Sequence, residues 1–287
     1  MEKVILNNNV LRVTISTFGA EVMSVIYKDE ERIWQGNEKF WTGHSPLLFP
    51  VCGAFKDFKY TLNDKTYDMQ PHGFVRKATF EVVNQTGDSV TMRLIQTPEQ
   101  FEIYPFKYEF LVTYTIENNK LSSRVEVENK QAEPMYFSFG SHESFNLKGS
   151  LEDYSVEFEK EEKFLSPKIV GRLLTYENID FGAGKLLNMS NDLFAFDTFV
   201  LRDANSRSLN LLYKGERVAH FDFDASNILI WQPKNAPFLC IEPWFRAPDY
   251  VDTTYDISEK PKMIKVEGFK NFVSNRVVTY YQKLVCL

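Results

Sequence analysis

One glutamate in the 287-residue chain lies in a context that suits proton transfer. Glu242 follows the apolar run Phe238–Ile241 and precedes Pro243 and Trp244. The run predicts a buried strand, and because proline cannot donate to a sheet ladder, the strand should end there or lie at an edge. Partial burial beside an indole raises a carboxyl pKa toward neutrality, which suits a general base. The alternative is a structural carboxylate that faces solvent or pairs with an arginine.

Two histidines also lie in contexts that favour a functional role. His72 precedes Gly73, and His142 follows Gly140 by two residues, so both are predicted on loops at the ends of aromatic strands. Loops held by a rigid sheet commonly carry functional groups. Arg76 follows His72 by four residues. This mixture of acid, base and cation among aromatic residues favours a sugar, whose hydroxyls need polar partners and whose C–H faces pack on rings.

Other kinds of site find little support in the sequence. His44 and His220 stand in ordinary contexts and are predicted to be structural or exposed. There is no His-x-His, H-E-x-x-H or Cys-x-x-Cys motif, and Asp222–Asn227 lacks the glycine of a calcium loop. Gly140–Ser144 does not match G-x-S-x-G, and no P-loop or G-x-G-x-x-G occurs. We therefore predict neither a metal nor a cofactor.

Charge and composition limit the partners and the compartment. The net charge of −6 argues against nucleic acid, and without a basic run the chain is not expected at an anionic membrane. The N-terminus lacks the apolar core of a signal peptide, and no apolar run is long enough to span a bilayer. Cys52, Cys240 and Cys286 are odd in number and far apart, which is typical of reduced thiols. We predict a cytoplasmic protein.

The elements that must position these residues are mostly strands. Alternating apolar residues predict strands at Leu11–Ser16, Tyr108–Ile116 and Val277–Val285, among others. Thr97–Tyr104 is the best candidate for a short helix, and Gly171–Asn191 is predicted to be rich in loops. Many short strands without a sustained helical period predict an all-β sandwich or barrel. Without a linker or an internal repeat, residues 1–287 are predicted to form a single domain.

Three motifs together resemble those of the aldose 1-epimerases, also called galactose mutarotases, and most closely those of the LacX-like branch. They are Pro71–Arg76 (PHGFVR), Phe139–Asn146 (FGSHESFN) and Phe238–Trp244 (FLCIEPW). The likeness extends over roughly residues 5–285, in the same order and spacing. It implies a large twisted antiparallel β-sandwich of the galactose mutarotase type.

The resemblance also implies a role for each residue of the site. Glu242 would be the base that takes the proton from the anomeric hydroxyl, and His142 the acid that protonates the ring oxygen. His72 and Arg76 would bind the sugar and the developing charge, while Asp197 would hold a ring hydroxyl. The implied activity is the interconversion of α and β anomers of a free or phosphorylated hexose, without metal or cofactor.

Three departures from the family pattern leave alternatives open. Ala54 stands where the branch usually has arginine, Glu143 where proline is common, and Arg246 where glycine is usual. Arg246 and Lys56 would favour a phosphorylated or acidic sugar, unless they are solvated surface charges. The competing interpretations are a non-catalytic sugar-binding or sensing protein and, third, a glycan-cleaving enzyme. The sequence identifies neither the sugar nor the oligomeric state.

Overall fold

The computed structural model describes residues 2–282, which form mostly β-strands joined by short turns. The strands in chain order are β1 (Lys3–Asn7), β2 (Leu11–Ser16), β3 (Val22–Tyr27), β4 (Glu30–Glu31), β5 (Leu47–Leu48), β6 (Lys59–Leu62), β7 (Lys65–Asp68), β8 (Phe80–Gln85), β9 (Ser89–Leu94), β10 (Tyr108–Glu117), β11 (Lys120–Asn129), β12 (Met135–Phe137), β13 (Gly140–Ser141), β14 (Glu143–Asn146), β15 (Tyr154–Val170), β16 (Leu173–Asn188), β17 (Thr198–Leu201), β18 (Ser208–Tyr213), β19 (Glu216–Phe223), β20 (Asn227–Trp231), β21 (Phe238–Trp244), β22 (Ile264–Val266) and β23 (Asn271–Tyr280). The helices are short: α1 (Pro98–Ile103) and 3-10 turns at Lys56–Phe58, Val75–Lys77, Leu151–Asp153 and Asn191–Phe194.

Two large sheets dominate the molecule. The nine-stranded sheet has the order β16-β15-β18-β19-β23-β11-β10-β9-β8, and the six-stranded sheet has the order β17-β20-β21-β13-β5, with β14 also paired to β21. The other described strands form a four-stranded sheet, β1-β2-β3-β4, and two two-stranded ladders. Every strand pairing in these sheets is antiparallel, so the all-β prediction is confirmed.

The segment from Ser45 to Phe55 is held in place by burial more than by strand pairing. Every residue from Ser45 to Phe55 is buried, although only β5 within it is a strand. The ring of Phe49 has its centroid 5.1–6.2 Å from those of five other aromatic side chains, which are Phe74, Tyr104, Tyr108, Phe110 and Phe137. Close packing of this kind fixes an irregular segment as firmly as a ladder does.

The predicted short helix and the strand predicted at Tyr108–Ile116 are confirmed. The Thr97 hydroxyl accepts a hydrogen bond from the Gln100 N–H at 3.3 Å, while the Gln100 side chain accepts from the Thr97 N–H at 3.1 Å. This capping box begins α1, with Pro98 in its first turn. The strand predicted at Tyr108–Ile116 is β10, and it pairs with β11 along its whole length.

The prediction of loops at Gly171–Asn191 is wrong. Most of that segment is β16, which pairs with β15 to form a long hairpin at the edge of the nine-stranded sheet. Most side chains of β16 are exposed, so the strand lacks the apolar alternation that a half-buried strand shows. Its two glycines, Gly182 and Gly184, lie at an irregularity in the pairing where the register shifts.

The final strand begins earlier than the sequence predicted. β23 covers Asn271–Tyr280, whereas the prediction ran from Val277 to Val285. Residues 283–285 and Cys286 lie outside the described residues. Among residues 2–282, no helix is long and apolar enough to cross a membrane.

Candidate active site

Glu242 lies in the middle of the six-stranded sheet and not at a strand end as the sequence suggested. β21 continues through Pro243 to Trp244 and pairs with β20 along one side. On its other side, β14 pairs as far as Ile241 and β13 resumes opposite Trp244. The proline, which has no N–H to donate, thus stands where this second ladder is interrupted. The Glu242 side chain is 2% exposed.

His142 occupies this interruption, between β13 and β14, and not a loop. Its Nε2 atom lies 3.3 Å from Oε2 of Glu242, so the break in the ladder brings the two groups together. The imidazole stacks on the indole of Trp41, with centroids 4.7 Å apart, and its backbone N–H donates to the Pro46 carbonyl at 3.1 Å. The imidazole also lies nearly perpendicular to the indole of Trp231, at a centroid distance of 5.6 Å.

His72 is held in a tight turn against the buried segment before it. Its N–H donates to the Gly53 carbonyl at 2.7 Å, and the Gly53 N–H donates to Nδ1 of His72 at 3.3 Å. With Nδ1 acting as an acceptor, the neutral ring carries its hydrogen on Nε2. The next residue must be glycine, because Gly73 has φ +66° and a Cβ there would lie 2.2 Å from the Phe49 carbonyl oxygen. The ring of His72 lies 6.0 Å from that of His142.

The structure also brings Asp197 and Arg76 to the same place. Asp197 adopts a positive φ of 86°, and its Oδ1 accepts a hydrogen bond from the Trp231 indole at 3.3 Å. Arg76 lies on the 3-10 turn after His72 and donates to the Pro71 carbonyl at 3.1 Å. All five residues singled out in the sequence therefore line one cavity of about 500 Å³. That volume is within the range of about 300–1,000 Å³ that is typical of small-molecule sites.

Sequence reasoning missed three further residues that line this cavity. They are Trp41, Trp231 and Arg172. The two tryptophans flank the His142 ring, and Trp231 also holds Asp197. Arg172 comes from the turn between β15 and β16, in the segment predicted to be loops. The aromatic content of the chain indicated a sugar-binding surface, but no local pattern indicated which rings or which arginine would face it.

Burial shifts the pKa of Glu242 and that of His142 in opposite directions. Burial, with the charge of Asp197 as a second cause, raises the pKa of Glu242 well above its usual range. Burial, with His72 as the next cause, lowers the pKa of His142 well below its usual range. Both shifts favour the uncharged form, so we assign one shared proton to the pair. Among the described residues, Glu242 Oε2 has the 3.3 Å contact with His142 Nε2 but no hydrogen bond of good geometry, and His142 Nδ1 is buried without a partner, which predicts a polar ligand.

The environment of His72 keeps its ring neutral. Burial, followed by the charges of Arg76 and Arg172, lowers the pKa of His72 to about 3. At neutral pH the ring is therefore uncharged and its Nε2–H is a hydrogen-bond donor. This state suits binding of a hydroxyl or ring oxygen better than repeated proton transfer.

The two cysteines among the described residues add no reactive group to the site. Cys52 and Cys240 are free, buried thiols, as predicted. Cys240 offers its sulfur within 4.8 Å of the donor atoms of His142 and Glu242, a set that suits a thiophilic cation. Burial, then the charge of Glu242, raises the pKa of Cys240 well above its usual range. The thiol therefore keeps its proton, and a protonated thiol is a poor metal ligand.

Neither Arg246 nor Lys56 is placed to select a phosphorylated or acidic sugar in the cavity. Arg246 is 4% exposed and ion-paired with Asp249, which also accepts from Lys260 at 2.5 Å. Lys56 lies over the ring of Tyr255. Neither residue lines the cavity, and Arg246 is a buried structural charge and not a solvated one. Ala54 does line the cavity.

Comparison with known proteins decides the family. The model of the Aldose 1-epimerase family matches residues 2–255. The chain is 31% identical over 281 residues to protein LacX (chromosomal) of Lactococcus lactis subsp. lactis, covering 91% of this chain and 93% of that protein. This chain belongs to the aldose 1-epimerase family.

Solved structures agree with this assignment and with the fold. A galactose mutarotase related enzyme from Lactobacillus acidophilus superimposes with a TM-score of 0.89 at 32% identity, covering 98% of each chain. A galactose mutarotase-like protein from Lactobacillus casei gives a TM-score of 0.91 at 26% identity, covering 98% of this chain and 100% of that one. The expected antiparallel fold of the galactose mutarotase type is confirmed.

Proposed function

We propose that this protein is an aldose 1-epimerase that interconverts the α and β anomers of a hexose. The observation that carries the proposal is the buried pair of Glu242 and His142, whose facing atoms lie 3.3 Å apart beside a cavity of about 500 Å³. Ring opening needs one group that accepts a proton and one that donates a proton, and this pair supplies both. Membership of the aldose 1-epimerase family supports the same activity.

The reaction is a balanced transfer of two protons. Glu242 takes the proton of the anomeric hydroxyl, whose oxygen becomes the aldehyde oxygen as the bond between C1 and the ring oxygen breaks. His142 gives its proton to that ring oxygen, which becomes a hydroxyl. Rotation about C1–C2 presents the other face of the aldehyde. Closure then returns one proton to His142 and takes the other from Glu242.

The shared proton explains why the site is buried. Before ring opening the pair is carboxylate and imidazolium, and afterwards it is carboxylic acid and neutral imidazole. Both states hold one proton, so each ring opening or closure moves the pair between its two tautomers without exchanging a proton with solvent. Because burial favours the uncharged tautomer, it stabilises the state that accompanies the open-chain sugar.

The neighbouring side chains are assigned to binding. His72 offers a neutral Nε2–H donor, and Asp197, fixed by the Trp231 indole, offers an acceptor for a ring hydroxyl. Trp41 stacks on the His142 ring and Trp231 packs nearly perpendicular to it, so the two indoles hold the imidazole in place. Fixing the acid in this way keeps the cost of reorganisation out of the chemical step.

The decisive test compares wild type with Glu242→Gln. Glutamine keeps the shape of the side chain but cannot accept a proton near neutral pH. We expect sugar affinity, measured by calorimetry, to stay within about tenfold, or ~1.4 kcal/mol. The rate of anomer exchange, measured by NMR, should fall by at least about 10²-fold, or ~2.7 kcal/mol of barrier. Glu133→Gln, which changes an exposed carboxyl outside the cavity, is the matched control.

The same measurement separates this function from a non-catalytic sugar-binding protein. Such a protein would bind hexose but would not accelerate exchange above the rate in buffer. Binding without acceleration by the wild type would therefore contradict the enzyme proposal. A metal or nucleotide requirement is not part of the mechanism, since the two side chains complete the proton transfers.

A further inference from the structure

Two arginines that line the cavity form no ion pair with another side chain of residues 2–282. Arg76 and Arg172 both face the space beside His72. Within residues 2–282, neither guanidinium lies within ion-pair distance of an aspartate or glutamate, and Nε of Arg76 is buried without a hydrogen-bond partner. Arg76 is half-buried, and although the charge of Glu21 attracts it, burial and the charge of Arg172 outweigh that attraction, so an anion supplied by a ligand would be stabilised beside it. Arg172 is exposed and supplies the second cation.

The two cations of the cavity lie near His72. Arg76 and Arg172 both contribute to the lowered pKa of His72, and Arg76 also contributes to that of His142. Asp197 contributes to the raised pKa of Glu242. Burial, followed by the repulsion of Arg172, also lowers the pKa of Arg76, so the two guanidinium groups are close enough to affect each other. Two like charges held together are a common arrangement for binding one anion between them.

Arg172 is held in place by the packing of its hairpin. Gly171 and Arg172, with φ values of 57° and 72°, form the two-residue turn between β15 and β16. Two residues later Leu174 is completely buried, and its N–H donates to the Asp249 carbonyl at 2.8 Å. The Val251 N–H donates to the Leu174 carbonyl at 3.1 Å. The turn is thus fixed to the segment that carries Pro248, another residue that lines the cavity.

We propose that Arg76 and Arg172 bind the phosphate group of a phosphorylated sugar, so that the substrate class is sugar phosphates and not free hexoses. This proposal rests on the proposed epimerase function. A guanidinium presents a planar fork of N–H donors that matches phosphate oxygens, and a phosphate monoester carries a charge of about −1.5 to −2 at pH 7. Two cations balance such a dianion, whereas a sugar carboxylate would leave one cation unmatched.

The test compares sugars that differ only in charge. Anomer exchange is measured by NMR for glucose and galactose, for their 6-phosphates and for glucuronate. We expect kcat/KM for at least one hexose 6-phosphate to exceed that for its free hexose by about 10-fold or more. Arg172→Gln should lower kcat/KM for that phosphate by about 10- to 100-fold, mainly by raising KM, which is the effect of losing one hydrogen bond to a charged group. The low activity on free hexose should change less than about twofold.

The control removes the same charge from the same hairpin. Lys185 lies exposed on β16 and does not line the cavity, so Lys185→Gln should leave every kcat/KM unchanged. Equal kcat/KM for hexose and hexose 6-phosphate, or equal losses on both in Arg172→Gln, would overturn the phosphate site and leave the epimerase function standing. A preference for glucuronate over both phosphates would also overturn it.

Calorimetry keeps the two proposals distinguishable. If no sugar is exchanged, the epimerase function fails, but affinities for glucose 6-phosphate and glucose still test the arginines. Tighter binding of the phosphate, lost in Arg172→Gln, would support the anion site. Equal affinity in wild type would contradict it.

Discussion

At the scale of single residues, the proposed reaction depends on one proton shared by Glu242 and His142, and burial disfavours the charged form of both groups. Glu242 and His142 are both buried and lie 3.3 Å apart. An isolated buried carboxylate would be costly, but the neighbouring imidazole lets the pair change tautomer without changing its net charge. His72, 6.0 Å from His142, differs in having its Nδ1 engaged by the backbone. The two histidines are therefore expected to respond differently to the same substitution.

We expect His142→Asn to slow anomer exchange by about 10²–10⁴-fold, the usual effect of removing a general acid. His72→Asn should act mainly on KM, because asparagine can keep an acceptor for the Gly53 N–H while losing the donor to the sugar. Steady-state kinetics on both variants distinguish the two roles. A nearly full rate in His142→Asn together with an inactive His72→Asn would reverse our assignment of the acid.

The lowered pKa of His72 predicts a pH-dependent contribution to stability. A histidine of pKa about 3 in the folded state binds fewer protons than one near 6.5 in the unfolded chain. Its stabilising contribution is therefore complete above about pH 6.5 and is lost as pH falls toward 3, by up to ~1.4 kcal/mol per pH unit. The raised pKa of Glu242 acts in the opposite sense, so only a comparison of variants isolates His72.

Urea unfolding of wild type and His72→Asn at pH 7, 6, 5 and 4 measures this effect. The free energy of unfolding should fall less steeply for the variant on acidification, so that the two curves converge at low pH. Parallel curves would mean that His72 is protonated in the folded protein as readily as in the unfolded chain.

At the scale of elements, one hairpin connects the edge of the large sheet to the cavity. Leu174, just past its turn, packs in a small buried cluster with Leu48, Cys52, Val200, Leu229 and Trp244. Leu48, Leu229 and Trp244 also line the cavity. The cluster therefore fixes the tip of the hairpin and the wall of the site at once.

We expect Leu174→Ala to reduce the free energy of unfolding by about 2–5 kcal/mol, the usual effect of such a truncation in a core. It should also weaken any contribution of Arg172 to binding, since the turn loses its anchor. Leu186→Ala, on the same strand but 49% exposed, should change stability by less than about 0.5 kcal/mol. Urea titrations monitored by circular dichroism provide the comparison. Equal stabilities of the two variants would contradict the anchoring role of Leu174.

At the scale of the whole molecule, the site draws on segments from most of the chain. Trp41, His72, His142, Asp197 and Glu242 lie in five separate parts of the sequence and line one cavity. The four tryptophans are concentrated there as well. Trp41, Trp231 and Trp244 line the cavity, and the Trp34 indole donates to the Trp41 carbonyl at 2.7 Å. Intrinsic fluorescence is therefore a direct probe of the site.

If residues 1–287 form the single domain that the sequence predicts, tryptophan fluorescence and anomer exchange should be lost at the same urea concentration. A bound sugar at 100 times its Kd should shift both midpoints upward together, by about 2.7 kcal/mol of stability. Loss of activity well before loss of the circular dichroism signal of the sheets would indicate that the site unfolds independently. That outcome would contradict a single cooperative unit.

The sequence by itself determined the all-β class and most strand positions, and together with the family resemblance it predicted the five residues proposed for chemistry and binding. Half-buried strands such as β10 show period-two alternation because each side chain meets either core or solvent. Glu242, His142 and His72 stood out through their residue types and their glycine and proline neighbours, which report local backbone geometry such as the positive φ of Gly73. Asp197 was indicated only by the family resemblance.

Only the tertiary structure decided what depends on distant contacts. Most side chains of β16 are exposed, and the strand is held by its pairing with β15. Its own residues therefore carry no alternating apolar pattern from which a strand could be predicted. Arg246, predicted to be a surface charge or a sugar ligand, is buried because Asp249 lies beside it. Arg172 reaches the cavity because Leu174 is buried against residues far away in sequence. Pairing and burial of this kind are set by the whole fold, and a local pattern does not contain them.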